Sequence, residues 1–402
     1  MNDKTHNSSF RTALLLAIFS ALGPFTVDMY LSSLPQIMND FHTTASTIQG
    51  SLTASLLGLG LGQLVAGPLS DVHGRRKPLL ISMLLYFLIS IACALAPNID
   101  MFIVLRFIQG FVASAGLVIS RAIVRDRYSG VEMVKFMAVL TMISNVAPLI
   151  SPTVGSTVTT FISWIGVFIF LGLLGLFLTG ITKWGIKESL PARQRVPSNF
   201  REVLRNYSSL LRDRSFMGYA LVNGILFSGV FAYVAGTPFI YQNMYGISPQ
   251  LFSVLFALNG VGIILGSQFV KRLAGRMDEH GIFRIGLLLA FITTAAILIV
   301  VLVQGPFVAL FIAIFLFAAS IGMIGPVSFT LAMESQGHIA GSAAAVLGTL
   351  QFALGAVTSP LVGIAGENSA VPFGITIFMT SILAVIFYVI LVRRSSTVSQ
   401  YM

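Results

Sequence analysis

Residues 67–78 read Gly67-Pro68-Leu69-Ser70-Asp71-Val72-His73-Gly74-Arg75-Arg76-Lys77-Pro78. They interrupt two apolar runs, 46–69 and 79–96, each near the roughly 20 residues a helix needs to cross a bilayer. Glycines permit a tight turn between two helices. Asp71 falls at a helix end, and three adjacent cations follow where they can pair with acids on neighbouring helix ends. Anchoring of basic residues on the cytoplasmic side accounts for the cations. It does not account for the spacing of Gly67, Leu69, Asp71, Gly74, Arg75 and Arg76.

Outward from this break, ten more runs qualify as spans: 12–34, 101–124, 134–158, 163–183, 216–240, 249–270, 283–303, 306–330, 341–364 and 371–392. The composition agrees. Charged residues are 9% and hydrophobic residues 56% of the 402, against about 25% charged in an ordinary soluble domain. Mean hydropathy is +0.90. So little charge cannot cover a water-facing surface, and the reading is an all-α polytopic membrane protein.

With both termini cytoplasmic, 23 of the 24 Lys and Arg residues fall in inner loops or at inner helix ends. The exception, Arg106, is inside the fourth span. The net charge of +10 is therefore a collar beside anionic membrane lipid, not a nucleic-acid stripe. The longest polar interval, 184–215, divides the spans into six and six. This predicts two pseudo-symmetric six-helix bundles, 1–183 and 216–402, joined by a cytoplasmic linker that is partly helical around 199–211. Such duplicated bundles are typical of secondary transporters. The linker reads as a hinge tether lying on lipid headgroups. Small residues four apart, Gly58/Gly62, Gly110/Ser114 and Gly262/Gly266, predict close helix packing.

Only Asp28 and Arg106 lie well inside a span, and the second half has no ionisable residue there. A mid-bilayer charge costs about 2.5–3.5 kcal/mol on insertion scales and is normally functional or paired. By span arithmetic both sit roughly 8–9 Å below the outer boundary. Burial favours a neutral carboxyl and a nearby guanidinium favours the carboxylate, so Asp28 can carry a transported proton with Arg106 as its modulator. Two other readings stay open: a static ion pair joining helices, and an Asp28 placed in an outer vestibule.

The 67–78 spacing resembles the loop motif between helices 2 and 3 of the major facilitator superfamily. Asp28-Met29-Tyr30-Leu31-Ser32-Ser33-Leu34-Pro35, Arg106-Phe107-Ile108-Gln109-Gly110, Ala122-Ile123-Val124-Arg125-Asp126 and Gly246-Ile247-Ser248-Pro249-Gln250-Leu251-Phe252 narrow the resemblance to its Bcr/CflA drug-resistance branch, the bicyclomycin-resistance type. The resemblance spans nearly the whole chain. It implies a drug:proton antiporter of the bacterial plasma membrane that exports small drugs by alternating access, with Gly67, Asp71, Gly74, Arg75, Arg76 and Asp126 as the cytoplasmic gate. At helix 5 the chain departs from the family's glycine-rich antiporter motif: Asn145-Val146-Ala147-Pro148, Ser151-Pro152 and Gly155 keep the kinking prolines only.

The implied cavity takes Phe25, Met29, Tyr30, Gln109 and Asn145 from the first half. The second half supplies Asn223, Phe227, Tyr233, Met323 and Gln351. Aromatic and methionine side chains give adaptable contacts, although ordinary packing explains each one singly. No cofactor, metal or nucleic acid is expected, and no enzyme activity. The single cysteine, Cys93, lies in an apolar run, the five histidines do not cluster, and no Gly-x-x-x-x-Gly-Lys run is present. The expected partners are a small-molecule drug, protons and membrane lipid, with the chain a monomer. A transporter of a small metabolite such as a purine or sugar-like solute, and a non-transporting receptor or scaffold, are the competing functions.

Overall fold

In lipid only a helix or a closed barrel satisfies its own backbone N–H and C=O groups. In a computed structural model of the chain, all regular elements among the described residues are helical. The structure describes residues 2–393 apart from 129, 196–199, 274–275, 335, 337–338 and 367–368. Side chains are described from residue 15, with further gaps inside some helices, and that of Asn145 lies outside them.

The helices of the first half are α1 (Asn2–Asp28), α2 (Leu34–Asp40), α3 (Ala45–His73), α4 (Arg76–Ala94), α5 (Ile99–Arg127) and α6 (Gly130–Gly180). Those that follow are α7 (Phe200–Arg212), α8 (Arg214–Phe239), α9 (Pro249–Leu273), α10 (Glu279–Leu302), α11 (Phe307–Met333), α12 (Ala340–Leu361) and α13 (Val371–Phe387). Eleven helical stretches among the described residues are long and apolar enough to cross a membrane.

The twelfth expected span is fused into α6. That element runs for 51 residues and leaves helical geometry only at Ile162 and Ser163, where φ is 51° at Ser163. A straight helix of that length would measure about 76 Å, against a hydrocarbon core of roughly 30 Å. α6 is thus two spans joined by a two-residue reversal. The first span also differs from expectation. Its α-helix stops at Asp28, and the chain continues through a 3₁₀ turn, Leu31–Ser33, into α2. Asp28 is therefore a helix-terminal residue instead of lying six residues within the helix.

The chain forms two units, Met1–Ile37 with Ala54–Asn199, and Met38–Thr53 with Phe200–Met402. In the first, α1, α4, α5 and α6 pack on one another. In the second, α8 packs on α11, α12 and α13, while α11 packs on α9 and α10. Residues 38–53 join the second unit through polar contacts: Gln49 Nε2 donates to the Ala235 carbonyl at 3.1 Å, and Thr53 Oγ1 to that of Ala356 at 3.2 Å.

Each unit contains the same helix crossing. A Cβ on Gly58 of α3 would meet the Phe107 carbonyl, and one on Gly110 of α5 would meet the Ser55 carbonyl. In the second unit Gly266 of α9 faces the Ala319 carbonyl and Gly322 of α11 faces that of Ile263. Every glycine lies against the carbonyl three residues before its partner glycine. This is main-chain contact that any side chain would break.

Candidate functional site

The end of α1 is built around Arg106. Its side chain is fully buried, yet no carboxylate pairs with it among the described residues. Nη1 donates to Gln109 Oε1, one turn along α5, and Nη2 donates to the Thr26 carbonyl at 2.8 Å. The guanidinium lies 4.2 Å from the Tyr30 ring centroid and 5.5 Å from that of Phe168. Thr26 belongs to the last turn of α1, where the helix dipole carries partial negative charge. The cation is thus held by a helix terminus and two aromatic faces, each worth about 1 kcal/mol. Nε has no partner.

A closed polar circuit supports this arrangement. Gln109 Nε2 donates to Ser90 Oγ at 2.7 Å, and Ser90 Oγ donates to the Tyr86 carbonyl. Tyr86 Oη and Thr26 Oγ1 are 2.8 Å apart, and Thr26 Oγ1 donates to the Leu22 carbonyl. Each buried hydroxyl and amide thereby recovers hydrogen bonds that lipid could not supply. Thr26, Tyr86, Ser90 and Phe168 were not expected from sequence. Hydroxyls at 86 and 90 fall one turn apart on the same face of α4, and that spacing was the available signal.

Asp28 is 6% exposed, and among the described residues its carboxylate takes part in no hydrogen bond or ion pair. It lies two residues beyond the carbonyl that Arg106 binds. Met29 and Tyr30 are buried beside it and Phe25 is half-buried. A Cβ on Gly155 of α6 would fall on the Met29 carbonyl, so the helix 5 segment that departs from the family motif meets the end of α1 there.

The second expected cluster also forms within the first unit. Gly74, at φ 84°, turns the chain between α3 and α4. Arg75 Nε donates to Asp126 Oδ2 at 2.8 Å, and its Nη1 reaches Asp71 Oδ1 and Ser70 Oγ. Burial works against the Arg75 charge, but the bonds to Asp126 and the neighbouring Asp71 outweigh it and hold the guanidinium above its ordinary value. Arg76 Nη2 donates to the Lys183 carbonyl at 2.6 Å. Gly67 packs on Val118 of α5.

A carboxylate absent from the expected set completes this end. Glu188 Oε1 accepts from the Arg75 backbone N–H at 2.8 Å and Oε2 from that of Arg76 at 3.3 Å. Its neighbours Ser189 and Leu190 also donate backbone N–H groups to Oε1. Burial opposes its charge, but these four N–H donors prevail and hold the carboxyl below its usual range. It is one of three acids, with Glu202 and Asp213, among eight basic residues of the linker region and its edges.

In the second unit Tyr233 stacks on Phe256 at 5.3 Å, and Asn259 Nδ2 donates to Tyr233 Oη at 3.1 Å. Phe256 and Asn259 were not anticipated. Phe227 is half-buried and meets Phe231. Asn223 and Met323 are buried and Gln351 is half-buried. No group of metal-ligating side chains occurs among the described residues.

An all-helical chain of membrane-spanning length, with a buried arginine circuit and a capped Gly-Arg-Arg turn, defines a membrane transporter, and residues 14–360 match the Major Facilitator Superfamily. The chain belongs to that superfamily: it is a multi-pass plasma-membrane transporter, not an enzyme. It is 47% identical over 385 residues to the Uncharacterized MFS-type transporter YdgK of Bacillus subtilis (strain 168), covering 95% of this chain and 96% of that one. It is 29% identical over 388 residues to the Bicyclomycin resistance protein homolog of Haemophilus influenzae, covering 96% and 98%. The inward-open, partially occluded structure of the xylose transporter XylE from E. coli shares the fold, with a TM-score of 0.74 at 14% identity over 96% of this chain and 98% of that one.

Proposed function

We propose that the protein exports small drugs in exchange for protons, as a bicyclomycin-type resistance transporter working by alternating access. Asp28 is the proton carrier, Arg106 its modulator, and Asp71, Arg75 and Asp126 the cytoplasmic gate. The observation that carries this reading is the position of Asp28: a buried carboxylate with no partner among the described residues, two residues past the carbonyl that holds Arg106. A carboxyl so placed is stable when neutral. Its ionised form needs the guanidinium to leave Thr26 or water to enter, either of which a change of state can supply. Protonation then removes the one negative charge at the site and weakens binding of a polar or cationic drug.

The test uses inside-out membrane vesicles energised to an acid interior and a pH-sensitive dye. Bicyclomycin-dependent collapse of the gradient with wild type, but not with Asp28→Asn, is the expected result. Collapse in both keeps antiport and moves the proton site elsewhere. Absence of collapse with any of a panel of drugs, in vesicles shown to contain the protein, overturns the drug reading in favour of metabolite transport.

A further inference from the structure

We infer that Glu188 is the positioning residue of the Gly-Arg-Arg turn: it fixes the main chain of Arg75 so that the side chain reaches Asp126. Arg75 is gripped at both ends. Its guanidinium is taken by Asp71, Ser70 and Asp126, while its backbone N–H is taken by Glu188. Arg75 is the N-cap position of α4, and Arg76 is its first residue. A carboxylate accepting from both N–H groups is a charged cap at the positive end of a 19-residue helix, and Arg75 itself contributes no side-chain cap there.

The local sequence is shaped around that carboxylate. A Cβ on Gly74 would collide with Glu188 Oε2 and with the Arg195 guanidinium. The glycine therefore serves the approach of Glu188 as well as its own positive φ. The segment carrying Glu188 is tied down beside it. Ser189 Oγ donates to Asp126 Oδ2 at 3.0 Å, the same oxygen that Arg75 Nε binds. Arg127 Nη2 donates to the Lys187 carbonyl at 2.6 Å, and Arg195 lies 3.9 Å from Glu188. Glu188 and Asp126 thus share Arg75 between them, one at the backbone and one at the side chain. The residues that leave the sixth span act as a strap across the turn.

A cap that only stabilised α4 would act independently of Asp126; a positioning residue cannot. The test is a double-mutant cycle on the full chain in lipid nanodiscs, read as thermal-unfolding midpoints of wild type, Glu188→Ala, Asp126→Asn and the double variant. The expected result is that the double variant loses clearly less than the sum of the singles, because each removes the same Arg75 geometry. Glu188→Asp should retain most of the midpoint. Glu188→Gln should fall clearly below wild type, since its oxygen can replace Oε1 but its NH₂ meets the Arg76 N–H and the charge is lost. Additive midpoints, or a Glu188→Gln variant equal to wild type, would overturn the inference. Should Glu188→Ala fail to fold, hydrogen exchange of Glu188→Gln decides. The Arg75 and Arg76 amides should exchange about tenfold faster, as for a lost charge-assisted hydrogen bond, and unchanged exchange refutes the role. The cycle needs no substrate, so it stands or falls apart from the drug-export reading.

Discussion

Arg106 Nη2 donates to the carbonyl of Thr26 at 2.8 Å, and Arg106 forms no ion pair with Asp28 among the described residues. Arg106 is therefore tied to the end of α1 two residues before Asp28, and not to the Asp28 carboxylate itself. A lysine at 106 keeps the charge but cannot serve Gln109 and Thr26 together or lie flat on Tyr30. Arg106→Lys is expected to lower drug-dependent proton flux by about tenfold or more, the value of one lost charge-assisted hydrogen bond. Vesicle assays at matched protein levels measure it.

Gln109→Glu tests the same relationship from the other side. It puts a carboxylate where Arg106 Nη1 now meets a neutral oxygen, giving the cation a permanent buried counter-ion. A well-paired buried arginine keeps the fold, so the unfolding midpoint should stay near wild type. Under the proposed antiport, in which Arg106 responds to the charge on Asp28, transport should fall. A variant that transports normally would show that Arg106 is structural.

The glycine crossings predict a contrast within one helix. Gly322→Ala drives a methyl into the Ile263 carbonyl, whereas Gly325 of α11 has open space where its Cβ would be. Gly322→Ala, like Gly110→Ala against Ser55, should cost about 1–3 kcal/mol as overpacking. Gly325→Ala should be neutral or stabilise by about 0.5–1 kcal/mol, the helix preference for alanine. Thermal unfolding in detergent of the three variants separates them.

The two reciprocal crossings also show what the sequence could and could not convey. Hydropathy placed the spans, because each must match a fixed bilayer thickness, and Gly262/Gly266 marked a close-packing face. The reversal at Ile162–Ser163 carries no glycine or proline, so nothing in the residues announces a turn that short. Asp28 and Arg106 stood out because charge in an apolar run is costly. Tyr86 and Ser90 did not, since hydroxyls are common in spans and only their partners give them meaning. Glu188 stayed hidden because its ligands are backbone N–H groups, which leave no trace in residue type.

Asp71 and Asp126 should differ in weight although both bind Arg75. Asp126 is 11% exposed and also accepts from Ser189 Oγ, while Asp71 is 39% exposed. Solvent screens the second pair, so Asp71→Asn should cost about 0–1 kcal/mol. Asp126→Asn leaves a buried guanidinium short of its partner and should cost about 1.5–3 kcal/mol. Equal losses in thermal unfolding would contradict the asymmetry.

The charge on Glu188 sets how the turn responds to acid. Its carboxyl is held below the usual range by the N–H groups of Arg75, Arg76, Ser189 and Leu190, against the burial that opposes it. A carboxyl depressed in the folded chain contributes stability above its unfolded value, near about 4.3, and loses that contribution as pH falls towards the folded value. Protection of the Arg75 and Arg76 amides, corrected for intrinsic exchange, should therefore be constant from about pH 8 to 5. It should fall only below the ordinary carboxylate range. In Glu188→Gln the protection should be low throughout and independent of pH, because no proton is left to bind at that position. Loss of wild-type protection between about pH 7 and 5, above the carboxylate range, would show that a group other than Glu188 carries the cap.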